Sequence, residues 1–282
     1  MKKLNLETIS EDYVVYVLTT PQNANHLNTE PLGLEAKIID ATNLESSTFL
    51  ELLHQLDGIS YGNKEMAMDK WVTLDCGILP SAFIGLALPA DKLPPELKAQ
   101  YDLPPNYTGL VPISEFCAIP TANPETWITH TLASAIPNIG VGTYTEAIGF
   151  SIIPAKNILI VAQYDNHSLK VHSKFGVLKL ISATTPAHSQ ADMTCIYEIP
   201  APSDQEITQV LETNKPLTTP SPSYYLEAND TQTKQAMHQE IKQGTATHYI
   251  VYPGIITGPE TLVPILKKQV STKLELKFVE NT

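Results

Sequence analysis

The sequence predicts an α+β fold dominated by antiparallel β-structure, a barrel or sheet with helices at its periphery. Three observations lead there. Short runs rich in β-branched and aromatic residues recur along the whole chain (EDYVVYVLTT, LEAKIID, AFIGLALP, ILIVAQYD, TCIYEIP), and such runs bounded by turn residues are strand signals. Few segments show helical spacing, and those that do carry capping residues at their ends. Apolar residues make up 43% of the 282 positions, enough for a large buried core.

Taken in order, residues 11–20 read as a strand and LEAKIID as a second. Between Ser46 and Leu56, residues Phe49, Leu52, Leu53 and Leu56 stand at helical spacing. Thr48 with Glu51 has the capping-box pattern there, and Gly58 stands where a C-terminal cap belongs. WVTLDCGIL and AFIGLALP read as two strands around Leu79-Pro80-Ser81. Prolines cluster from Pro89 to Pro112, which predicts an irregular excursion with one short helix over Pro94 to Gln100. Glu115 to Ile119 is a further strand. Residues 120–141 have the apolar spacing of a helix that Pro137 would end.

The run from Gly142 to Thr184 reads as packed strands, with ILIVAQYD, SLKVHSKFG and VLKLISAT continued by TCIYEIP as a meander. Residues 203–213 read as a helix opened by a Ser203–Glu206 capping box. Thr213 to Ser223 is the most linker-like segment. Beyond it come strand SYYLEA, a helix from about Asn229 to Lys242, strand THYIVY, a helix started by Pro259 and the alternating KLELKFV. The expectation is one domain over 1–282, with 223–282 a candidate for a separate C-terminal α+β portion.

Composition excludes several partners. The formal charge is -12, and all 18 cations are lysine. Without the planar guanidinium there is no bidentate clamp for phosphate or carboxylate. Nucleic acid and anionic membranes are therefore not expected as partners. The charged start MKKLNLETISED is not followed by an apolar run, so it does not read as a signal peptide. No stretch reaches the roughly 18–20 apolar residues of a membrane helix, and a cytoplasmic location is expected. Cys76, Cys117 and Cys195 lie in apolar runs and read as buried thiols. Oligomeric state is left open, a homo-oligomer included.

No motif predicts a metal or cofactor. His167 and His172, with Asp165 two residues before His167, read as part of a turn between strands rather than as ligands. No Gly-x-Ser-x-Gly elbow occurs. Gly140-Val141-Gly142 has two glycines of a phosphate-binding fingerprint, lacks the third and follows no evident strand. Lysine chemistry is what remains. A lysine attacks a carbonyl only when burial or a neighbouring cation strips its proton, and Lys156, entering Ile158-Leu159-Ile160-Val161, is the candidate.

Around Lys156 the chain resembles the acetoacetate decarboxylase family. Pro154-Ala155-Lys156 is followed by Asp165, Leu169, Phe175-Gly176-Val177-Leu178 and Ser182-Ala183-Thr184, at spacing similar to the family's. Upstream, Ser114-Glu115-Phe116-Cys117-Ala118-Ile119-Pro120 resembles the family's Glu-containing segment. The likeness covers roughly residues 112–200. It implies the family's β-rich fold and apolar cavity, with Lys156 and Glu115 as catalytic-site residues and His130, Tyr144 and Phe150 lining the ligand. The family's Schiff-base lysine falls at Ala155 and its active-site arginine has no counterpart. The implied function is then binding or transforming a small hydrophobic or carbonyl-bearing ligand, with decarboxylation lost. The alternatives are a lyase or hydratase using Lys156, and a protein-interaction or effector domain without a small ligand. Glu115 and Lys156 are expected to face one cavity from separate strands.

Overall fold

Strand-forming runs pair here into one wide sheet, seen in a computed structural model that describes residues 4–62, 67–79, 81–137, 139–185 and 194–270. The N-terminal elements are α1 (Leu6–Asp12), β1 (Val14–Thr19), α2 (Pro21–Ala24), β2 (Ala36–Asp40), α3 (Ser47–Tyr61) and α4 (Lys70–Ile78). The centre holds β3 (Ala82–Pro89), α5 (Pro95–Lys98), β4 (Leu110–Pro112), β5 (Ser114–Pro120), β6 (Thr126–Ser134), α6 (Val141–Ile152) and β7 (Asn157–Gln163). Then follow α7 (Ser168–His172), β8 (Leu178–Ser182), β9 (Thr194–Pro200), α8 (Asp204–Thr213), β10 (Tyr224–Glu227), α9 (Thr231–Gln243), β11 (Ala246–Ile250) and β12 (Leu262–Gln269).

Among the described residues the strands form one mixed, open sheet in the order β10-β12-β11-β8-β9-β7-β6-β5-β3-β1-β2, with β4 also on β3. Every pairing is antiparallel except β1 with β2 and β6 with β7. The fold is thus α+β with a mostly antiparallel sheet, and of barrel and sheet it is the sheet. The segment after Thr213 joins through backbone pairing of β11 with β8.

Alternation along the central strands assigns the two faces. Glu115 and Cys117 of β5 turn toward the side covered by α3 and α4, while Phe116 turns toward α6. There Phe116 meets Phe150 edge-on at 5.8 Å, and Phe150 meets Phe175 at 5.4 Å. On the α3 side Tyr16 packs edge-on against Phe49 at 4.9 Å. The Tyr16 hydroxyl crosses Gly85, its antiparallel partner, to donate to the Ser114 carbonyl at 2.8 Å. Ser114 itself is a buried node, its hydroxyl accepting from the Leu86 amide at 3.0 Å and from the Thr145 hydroxyl at 2.6 Å.

Several expectations are corrected. Residues 71–79 are helical in α4 up to Ile78 rather than a strand: Thr73, Cys76 and Gly77 are buried at helical spacing, and Gly77 sits tightly against Ala41. The helical spacing over 120–141 belongs to β6, where Trp127, Thr129, Thr131 and Ala133 alternate inward. Residues 142–152 of the run read as strands belong to α6, which is buried nearly all round, its Thr143, Thr145 and Glu146 included. SLKVHSKFG is not a strand but holds the short helix α7. No helix starts at Pro259; the chain goes directly into β12. The helix over 46–56 is present as α3, yet no side chain caps its start, and Glu51 pairs with Lys70 instead. The Ser203–Glu206 capping box is present. KLELKFV and His188 lie outside the described residues.

Candidate functional site

The ladder between β6 and β7 is interrupted, and several buried polar groups lie at the interruption. Parallel neighbours require a crossover connection, and α6 supplies it between β6 and β7. Their pairing runs only from Thr126↔Asn157 to Thr129↔Ile160. β6 continues to Ser134, still paired to β5, and β7 continues to Gln163, still paired to β9. Past Thr129 and Ile160 the facing edges of the two strands therefore part, leaving backbone donors and acceptors without a ladder partner between them.

Two spaces occupy this opening. The outer one is a cleft of about 960 Å³. It is walled by Leu132–Ser134 of β6, by Ile139–Thr143 at the start of α6, and by Lys170, Val171 and Lys174. The inner one is a cavity of about 60 Å³ between β6 and β7, bordered by Asp57, Tyr61, His130, Thr131, Val161 and His172 among others. Tyr61, Leu132, Asn166 and Ser168 line both. The open end lies beyond the carboxyl end of β6, where open sheets with crossover helices commonly bind ligands.

The cleft floor is the N-terminus of α6. Its N-cap is Gly140, whose φ of 98° is a left-handed conformation that glycine adopts without strain, and no side chain caps the helix. The first helical N–H groups have no intrahelical acceptor and carry the positive end of the helix dipole. Gly142 adds no side chain over them; a Cβ there would meet only Val171 Cγ2, at 3.9 Å. Lys174 stands beside this turn, donating to the Thr143 hydroxyl at 3.3 Å and to Asn214 Oδ1 at 3.1 Å. Backbone amides and two lysines thus give an acidic chain a local seat for an anion.

The inner cavity has the opposite character. Asp57, almost fully buried near the end of α3, accepts from the Met68 amide through Oδ2, and its carboxyl also meets that of Glu115. Glu115 is fully buried behind it and accepts from the Thr131 hydroxyl at 3.3 Å. Burial pushes the Glu115 carboxyl well above the ordinary range, and the nearby Asp57 charge pushes it further. Burial likewise raises Asp57. Tyr61 donates to the Leu132 carbonyl at 2.5 Å and is pushed up to about 12, mainly by burial. On the other wall His172 Nδ1 is bonded to Glu146 Oε1, and both residues are buried.

The raised Glu115 carboxyl has a consequence for stability. Its folded value lies above the unfolded one, so its favourable contribution is complete below the unfolded value, about 4.3. That contribution is lost as pH climbs toward the folded value. Glu115→Gln keeps an acceptor for Thr131 and cannot ionise. It is expected to raise the melting temperature at pH 8 and to leave it nearly unchanged at pH 4. Thermal melts across that range check this; equal effects at both pH values would refute it.

The residues expected from sequence divide. His130 borders the inner cavity at its open rim, and what enclosure it has lowers its imidazole. Glu115 is buried just behind the cavity. Tyr144 is core, its hydroxyl donating to the Leu4 carbonyl at 3.1 Å, and Phe150 is core between Phe116 and Phe175. Lys156 is on the surface, its side chain 72% exposed and paired with Glu125. The structure does not place it in an enclosed space with Glu115, and the apolar surroundings that lysine chemistry requires are missing there. Asp57, Tyr61, Glu146 and the α6 start were not singled out from sequence as site residues. The sequence signal of the α6 start is Gly140-x-Gly142, two glycines of a fingerprint whose preceding strand, β6, has apolar spacing that reads as a helix.

No protein-family model matches the chain, and no curated protein does. Among solved structures, one titled as the crystal structure of Tetrahymena GCN5 aligns at 14% identity over 57% of this chain and 93% of that chain. Its TM-score is 0.33, too low to carry an argument about either fold or function. Among the described residues no three His, Cys, Asp or Glu side chains group as a metal site, and no helix is long and apolar enough to cross a membrane.

Proposed function

We propose that this protein binds a coenzyme A thioester in the gap between β6 and β7 and transfers its acyl group to an amine. The observation that carries the reading is the interrupted β6–β7 ladder with the uncapped α6 N-terminus at its mouth and a small cavity at its end. Each part matches one part of such a ligand. A pyrophosphate suits backbone amides at a helix start, with Lys170 and Lys174 beside it. An extended arm that carries amides can take up the unpaired backbone groups of β6 and β7 much as an added strand would. The inner cavity of about 60 Å³ has room for a small acyl group and little else. Coenzyme A is a common group carrier that combines these three features.

Two buried carboxyls in contact at the inner end favour a cationic partner, because an ammonium group would offset the like charge that burial penalises. Delivered there, an amine loses a proton toward Asp57 and attacks the thioester carbonyl held between the strands. The small-molecule reading of the sequence is retained, with its ligand changed. Carbonyl chemistry at Lys156 finds no comparable enclosure.

Isothermal titration of the full chain with coenzyme A and acetyl-coenzyme A tests the binding step. A dissociation constant in the micromolar range is expected, weakening as salt rises because phosphate contacts are screened. Adenosine, which lacks phosphate and arm, is expected not to bind. Absence of binding by both coenzyme A forms would dismiss the reading.

A further inference from the structure

We infer that His172, held by Glu146, is the group that protonates the departing thiolate. This inference rests on the thioester reading and adds a catalytic residue and a positioning residue to it. Glu146 is in the second turn of α6 and His172 ends α7, so the two helices that frame the cleft meet at this pair. Both side chains are buried, at 0% and 3% exposure. Glu146 Oε1 engages Nδ1 of the ring, and Nε2 is then the nitrogen left for the cavity that His172 borders. An imidazole fixed through one nitrogen by a carboxylate presents the other in a set direction, which is how a histidine is oriented for proton transfer.

The position in the cleft assigns the role. Asp57 approaches the inner cavity from α3 on one side of the sheet, and His172 approaches it from α7 on the other. An acyl group between them has the incoming amine on the Asp57 side and sulfur on the His172 side. As the nitrogen–carbon bond forms, the carbon–sulfur bond breaks and its electron pair leaves on sulfur. Sulfur takes the Nε2 proton of the imidazolium, giving the free thiol and a neutral ring whose Nδ1–H stays on Glu146. Of the two protons the ammonium sheds in becoming an amide, the first goes to Asp57 and the second returns to Nε2 and restores the imidazolium. No outside oxidant or reductant enters. Other titratable groups around the ring are His130 on β6, Tyr61 and Asp57 on α3, and Tyr197 on β9, whose ring lies 6.0 Å from that of His172. Asp57 meets the buried Glu115 carboxyl, but His172 is the imidazole at this cavity that a buried carboxylate holds through one nitrogen.

The test reads the ring directly and needs no knowledge of the acceptor. In ¹⁵N-labelled full-chain protein, the His172 ring signals are those lost in His172→Gln. Their pH titration is followed in free protein, then with saturating coenzyme A, and then with desulfo-coenzyme A, which lacks only the sulfur. A shift of the His172 titration with coenzyme A, at least halved with the desulfo analogue, is expected. Glu146→Gln is expected to change the tautomer signature of the His172 ring while coenzyme A still binds within threefold of wild type. If both ligands bind and move the ring equally, or not at all, His172 is not at the sulfur and the inference is overturned while the binding reading stands. If neither ligand binds, both are overturned. Melting curves for the two variants separate loss of fold from loss of function.

Discussion

Gly142→Glu is expected to weaken coenzyme A binding at least 100-fold, about 2.7 kcal/mol, without harming the fold. Gly142 is the second helical residue of α6, and a Cβ there meets nothing closer than 3.9 Å. Backbone conformation is no obstacle, since Gly142 is not among the positive-φ glycines. A carboxylate in the first turn of a helix interacts favourably with the dipole, by about 0.3–1 kcal/mol. Thermal stability should therefore hold or rise. The same carboxylate occupies the proposed phosphate seat and repels the ligand there. Opposite signs on stability and affinity are what a mere packing defect could not produce. Calorimetric titration and a melting curve on one preparation decide it. Undiminished coenzyme A affinity would remove the α6 start from the site, and a large fall in melting temperature would show that Gly142 serves packing instead.

The second large effect concerns Gly85, where the core tolerates no side chain. A Cβ at this position would lie 2.0 Å from the Ser114 carbonyl oxygen and 2.8 Å from the Tyr16 hydroxyl. The first obstacle is backbone, held by pairing of β3 with both β1 and β5. Gly85→Ala must therefore spread the sheet or expel the Tyr16 phenol. Overpacking of this kind costs about 1–3 kcal/mol. Stranding the buried Tyr16 hydroxyl adds about 1–3 kcal/mol more. Together about 4 kcal/mol is expected, a fall on the order of 10 °C in melting temperature for a chain of this size. Tyr16→Phe removes the hydroxyl alone and should cost less. The double variant should fall short of the sum, because the two changes share one hydrogen bond. Denaturant unfolding of the three variants provides the check, and a Gly85→Ala protein within 1 kcal/mol of wild type would show that the sheet yields more easily than the packing implies.

These two glycines show how unevenly sequence carries structural information. Both sit in apolar runs, and neither is marked by a turn dipeptide. One is required because a tyrosine directly opposite on the neighbouring strand reaches over it, a fact of register; the other stays bare where an anion is proposed to sit. Strands rich in β-branched and aromatic residues were legible: β1, β2, β3, β5, β7 and β9 all fall on runs whose residue types announce them. So were helices with a solvated face, such as α8 with its Ser203–Glu206 box. Local chemistry suffices there, because side chains that cap a helix or alternate across a strand act within a few residues.

What sequence alone determined is therefore the α+β class, the strand inventory along most of the chain, and the acidic, arginine-free surface. Tertiary structure decided the rest where burial erased the local signal. α6 is enclosed by the sheet and neighbouring helices, so nearly every position is covered and no polar stripe remains to reveal its period. β6 carries Thr129 and Thr131 inward, polar residues whose burial makes sense only opposite Glu115 and the gap. Asp57, Glu115, Glu146 and His172 are spread over 116 positions of sequence. They come together only because β6 and β7 run parallel, and parallel neighbours must be joined by a crossover that brings distant segments to one opening.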